Sequence, residues 1–149
     1  MINMQCSRGQ VSTELLVIIG AILVIFIPLI ATGYTKAAQA NEELALTQSH
    51  LAASRLSNII ESVGNLGENS SAMVEIFVPK GVSSIKFQKL GTGSEVVFTI
   101  DASSGNNEIA EISRFPLSPA SFEIKNPSQG LIRFQILSKG KDGVEVKRV

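Results

Sequence analysis

The stretch Glu14–Ala31, E-LLVIIGAILVIFIPLIA, decides how the chain is built. After Glu14 it carries no charged or strongly polar side chain. A short polar segment precedes it: Met1–Gly9, then Gln10-Val11-Ser12-Thr13. A secretory signal peptide places its cleavage site after the apolar run, which is then discarded. Here the polar punctuation lies on the N-terminal side, so a cut there leaves the greasy segment on the mature chain. A cut after Ala31-Thr32-Gly33 has suitable small residues, but the long lead-in and the helical pattern running across that site argue against it.

Continued to Tyr34, the apolar segment is about 20 residues long, or roughly 30 Å of helix, enough to cross a bilayer. Pro28 removes one backbone donor and is expected to bend or locally loosen the helix. Gly20 and Gly33 permit close helix approach in lipid. From Lys36 the composition turns to Ala, Leu, Gln, Glu and Ser, mostly good helix formers. Leu44, Leu51, Ala52, Leu56, Ile59, Ile60 and Val63 recur at spacings of three and four, predicting one apolar stripe that packs on the C-terminal domain. Gly64 and Gly67 supply the stop.

Beyond about Ser70 the period changes to that of strands. Seven are predicted, at Met73–Val78, Ser84–Lys89, Glu95–Ile100, Glu108–Ile112, Ser121–Lys125, Leu131–Leu137 and Val144–Lys147. Turn clusters separate them: Pro79-Lys80-Gly81, Gly91-Thr92-Gly93, Ser104–Asn107, Asn126-Pro127 and Asp142-Gly143, the last read as a two-residue hairpin turn. The expected class is α+β: a long N-terminal helix, transmembrane then amphipathic, followed by a small antiparallel β-sandwich-like domain. The divisions are a polar leader over 1–9, a hydrophobic helix over 10–35, its amphipathic continuation over 36–66, and a β-domain over 67–149.

Charge is balanced, with 13 Lys and Arg against 13 Asp and Glu. Losing Met1–Gly9 removes only Arg8 among these and leaves one net negative charge. No basic patch appears, so no nucleic-acid partner is expected. The one cysteine, Cys6, lies in the leader; the mature chain would hold neither a disulfide nor a cysteine metal site. His50, the one histidine, sits on a helix with no neighbouring ligands and reads as a solvated or packed side chain. There is no phosphate loop, nucleophile elbow or metal motif, so no enzyme, no metal and no cofactor are expected. Asn69-Ser70-Ser71 is an N-glycosylation triplet on an exposed loop.

Gly9-Gln10-Val11-Ser12-Thr13-Glu14, running straight into an apolar helix, resembles the class III signal peptide of archaeal type IV-like pilins. In that family a membrane peptidase cuts just before the glutamine. Its pattern is Gln, Ser two residues on, Glu four on and Leu eight on; Gln10, Ser12 and Glu14 match, and Ile18 stands at the last place. The resemblance implies a structural pilus subunit, major or minor, processed before Gln10 and assembled through its N-terminal helix, for surface adhesion. It implies a membrane-resident precursor with the β-domain outside, and afterwards a filament at the cell surface. The partners would be other pilins in a homo- or hetero-polymer, the prepilin peptidase, an assembly ATPase and a membrane platform. Within the helix Gln10, Glu14 and Pro28 would serve assembly. Glu14 would pair with the new amine of Gln10 on another copy, or hydrogen-bond instead if Gln10 cyclises. The alternative is a single-pass anchored extracellular β-domain, a binding module that never polymerises. In that case Glu14 is only an interfacial carboxylate.

Overall fold

A computed structural model describes residues 6–102 and 105–149, with side chains from Thr13 onward. One helix, α1 (Cys6–Asn65), precedes seven strands: β1 (Ser71–Val78), β2 (Val82–Leu90), β3 (Gly93–Ala102), β4 (Gly105–Ser113), β5 (Ser121–Lys125), β6 (Gly130–Ser138) and β7 (Val144–Arg148). A 3-10 turn, Gly140–Asp142, joins the last two. The chain divides into two compact units, Met1–Asn41 and Glu42–Val149.

The first unit is helical over all its described residues. α1 begins at Cys6, inside the polar leader, rather than at residue 10, where the hydrophobic helix was expected to start. Extending a formed helix adds a hydrogen bond for each residue fixed, whereas starting one is costly, so the apolar run carries the helix into the polar flank. α1 also runs unbroken through Pro28, whose missing N–H leaves the Val24 carbonyl without its helical donor.

The second unit is a β-sandwich-like domain closed by the last turns of α1. All seven predicted strands are present. One sheet has the order β1-β6-β7 and the other β4-β3-β2-β5, with every strand pair antiparallel. Alternation sends Val74, Ile76 and Val78 of β1, Ile132, Phe134 and Ile136 of β6, and Ile85 and Phe87 of β2 into one core. Phe87 ties the layers together: its ring lies 5.6 Å from Phe134 of the opposite sheet, edge to face, and 5.9 Å from Phe122, its cross-strand partner on β5.

Helix α1 contributes Ser49, Ala52, Ala53, Leu56, Ser57, Ile60 and Val63 to the buried interior, with Leu46 and Ile59 partly buried beside them. Leu46, Ser49, Ala53, Leu56, Ile60 and Val63 follow alternating steps of three and four, the spacing of a single face. Leu44 and Leu51, assigned to the stripe from sequence, are instead 57% and 65% exposed. They fall off this face by about a third of a turn or more, because 3.6 residues per turn separates Leu51 from Ala52 by about 100°. The small Ser49 and Ala53, which the stripe read from sequence left out, are buried on that face instead. At the end of the helix, Gly64 faces the Phe115 ring so closely that any Cβ would collide with it.

The Asp142-Gly143 turn is also different from the expectation. The strands end at Ser138 and Val144, so the connection spans Lys139–Gly143 and is closed by Lys139 N–H donating to the Gly143 carbonyl at 2.8 Å. Gly143 has φ +103°, and a Cβ there would overlap the Pro116 carbonyl oxygen. The segment before β5 packs against this loop: Val144 N–H donates to the Pro116 carbonyl at 2.8 Å, and Leu117 forms an isolated parallel bridge with Val144. That neighbour requires a longer connection than a two-residue hairpin.

Candidate functional site

The apolar half of α1 is the surface that requires explanation. From Leu15 to Tyr34 every side chain is exposed; only Gly20 is half-buried. Leu16 is 69% exposed, Val24 73% and Ile30 67%. Soluble monomers rarely expose contiguous apolar patches beyond a few hundred Å², and larger ones mark contacts with lipid or protein. Among the described residues, this is the one helix long and apolar enough to cross a membrane.

Helical periodicity places Glu14 and Ile18, four residues apart, on one side of the rod together with Thr13 and Val17, and the four line a shallow depression. A carboxylate therefore sits at the rim of an otherwise apolar face. No Cβ contact would arise at Gly20 or Gly33, which leaves two open notches for a close-packed neighbour. The Thr32 hydroxyl donates to the Leu29 carbonyl and the Thr35 hydroxyl to the Thr32 carbonyl, both at 2.9 Å, so these hydroxyls are satisfied within the helix. Gly9, Gln10 and Ser12 lie on the helical backbone, but their side chains are outside the described residues, as is Met1–Gln5 altogether.

The β-domain carries several polar contacts between elements. The Ser57 hydroxyl donates to the Ile112 carbonyl of the outer strand β4 at 2.8 Å. His50 Nδ1 lies 3.1 Å from Glu111 of the same strand, and Arg114 Nε lies 3.5 Å from Glu61. So His50 does have a partner, one that its sequence neighbours could not reveal. Glu145 on β7 is held between Lys139 and Lys147, each ammonium 3.0 Å from one carboxylate oxygen. Hydrogen bonding from Lys139, then from Lys147, pulls its pKa below the ordinary glutamate range. On the outer face of β1 and β6, Arg133 Nε donates to Glu75 at 3.0 Å.

A groove of about 220 Å³ runs beside α1 and β1, lined by Gln48, Leu51, Ala52, Arg55, Ile76 and Phe77. It holds one cation and no carboxylate. Among the described residues no three His, Cys, Asp or Glu side chains gather closely enough to hold a metal ion. Asn69 lies exposed in the turn between α1 and β1, with φ +65°. No family model matches the chain, and neither any curated protein nor any solved structure does.

Proposed function

We propose that this chain is a subunit of a type IV-like pilus, cut before Gln10 and polymerised through the apolar half of α1. One observation carries the reading: a membrane-length helix with an uncovered apolar surface comes immediately after Gly9-Gln10-Val11-Ser12-Thr13-Glu14. The motif explains where the chain is cut, and the uncovered surface explains why the remainder is kept.

Before assembly the Leu15–Tyr34 surface is solvated by lipid tails and the β-domain stands outside the membrane. Moving this surface from lipid into a bundle of identical helices gains little from the hydrophobic effect, since lipid tails are as apolar as leucine. Packing and polar contacts must supply the preference. Gly20 and Gly33 let neighbouring backbones approach. Glu14 adds a polar contribution: a carboxylate costs about 3 kcal/mol at the bilayer centre, and a donor on the adjoining copy removes that cost. The freed amine of Gln10 is such a donor, and a cyclised Gln10 would offer only its lactam N–H. Extraction from the bilayer is work done by an assembly ATPase and a membrane platform. The β-domain then forms the outer wall and makes whatever contacts a surface requires.

Mass spectrometry of the mature N-terminus tests the processing half of this reading. A chain beginning at Gln10, or at its cyclised form, supports it. Retention of Met1 favours the anchored module, and a start after Ala31 removes both readings.

A further inference from the structure

The turn that joins α1 to β1 holds Asn69-Ser70-Ser71, the acceptor pattern for N-linked sugar. Elsewhere the requirement fails: Asn126-Pro127-Ser128 has the excluding proline, and Asn58 and Asn65 have no Ser or Thr two residues on. In the fold the backbone of this turn is hydrogen-bonded, while the side chains of Asn69 and Ser71 are exposed. Asn69 N–H donates to the Ser138 carbonyl at 3.0 Å, and Ser138 N–H donates to the Ser70 carbonyl at 2.8 Å. Those two bonds start the β1–β6 ladder. The Asn69 side chain is exposed and makes no hydrogen bond with any described residue, and Ser71 is exposed as well. Positive φ at Asn69 costs an asparagine little.

We infer that Asn69 carries an N-linked glycan, transferred from a lipid-linked oligosaccharide. This rests on the reading that Glu42–Val149 lies outside the membrane. In the transfer, Nδ2 of Asn69 attacks the anomeric carbon of the first sugar. A carbon–nitrogen bond forms, and the bond from that carbon to the donor's phosphate oxygen breaks. The lipid phosphate leaves with the electron pair, and the amide gives up one proton to a base on the transferase. The Ser71 hydroxyl is the second recognition element, which is why the pattern needs Ser or Thr there. The glycan would stand on the solvated side of the domain, fixed in position by the two bonds to Ser138.

The test uses the full chain purified from the cells that naturally make it. Trypsin releases Leu56–Lys80, in which Asn69 alone satisfies the pattern. The expected result is added sugar mass on this peptide, localised to Asn69 by fragmentation, lost in both Asn69→Gln and Ser71→Ala, and kept in Ser71→Thr. Sugar that persists in Asn69→Gln, or that maps to a serine, overturns the assignment. Protease accessibility on intact cells separates the glycan from the topology it depends on. A bare peptide from a domain that is cleaved at the surface overturns the glycan alone. A bare peptide from a domain protected inside the cell overturns the topology too.

Discussion

Helix α1 has two halves that share a backbone and differ in what covers them. Over Leu46–Val63 a stripe one face wide is buried against two sheets, and Leu56 and Ile60 are wholly inaccessible. Over Leu15–Tyr34 the side chains are apolar almost all the way round, and no described residue buries any of them. A one-sided apolar stripe is satisfied by a single neighbour, and the β-domain is that neighbour. A helix apolar on every side needs surroundings on every side. In the proposed function lipid would provide that before assembly and other copies afterwards, so the first half would be an intermolecular surface, whereas the second is an internal brace.

The most severe test of the contrast is truncation in each half. Leu56→Ala should destabilise the β-domain by about 2–5 kcal/mol, since it removes fully buried methylenes and leaves a cavity. Leu23→Ala should change the domain's unfolding by less than about 0.5 kcal/mol, as a substitution away from any intramolecular contact. Denaturant unfolding of the detergent-solubilised chain reads both, and equal losses would erase the distinction between halves.

A finer test compares two buried serines on the covered half. Ser57 donates to the Ile112 carbonyl, whereas the buried Ser49 hydroxyl has no hydrogen-bond partner among the described residues. Ser57→Ala should cost about 1–3 kcal/mol by leaving that carbonyl unpaired. Ser49→Ala should be neutral or stabilising, because it deletes a buried polar atom that makes no bond. A loss at position 49 as large as at position 57 would show that the helix seats differently on the sheets.

The smallest expected effect is on pH. Glu145 is held below its ordinary pKa by Lys139 and Lys147, so its charged form is favoured by folding. Its contribution is complete above the unfolded carboxylate value, about pH 4–5, and is lost as pH falls through the lower folded value. The gap in midpoint between the parent chain and Glu145→Gln should therefore be constant near neutrality and close in acid. A gap that widens on acidification contradicts the Lys–Glu–Lys clamp. The apolar half of α1 should show no such dependence.

What could be read in the chain depends on the range of the interactions involved. All seven strands were legible because β-branched alternation and glycine-rich turns are local signals; Gly91-Thr92 between β2 and β3, with φ +60° at Gly91, is one. The exposed helix was legible for the same reason. The sheet order was not, because β1 pairs with β6 across most of the domain. Leu44 and Leu51 misled because they lie off the buried face, whereas Ser49 and Ala53, which lie on it, carry little hydrophobic signal. Contacts such as His50 with Glu111 and Ser57 with Ile112 join residues distant in sequence, and no local pattern announces them. At the candidate site, the Gly9–Glu14 motif and the uncovered surface were both visible in the sequence.

The central claim is that the apolar half of α1 binds other copies of the same chain. It is tested most directly by shearing intact cells and sedimenting the released material, for the parent chain and for Glu14→Val. The parent chain is expected to pellet as filaments, and Glu14→Val to insert in the membrane but yield none. A parent chain that stays wholly in the membrane as single copies, or Glu14→Val filaments at full yield, would contradict the claim.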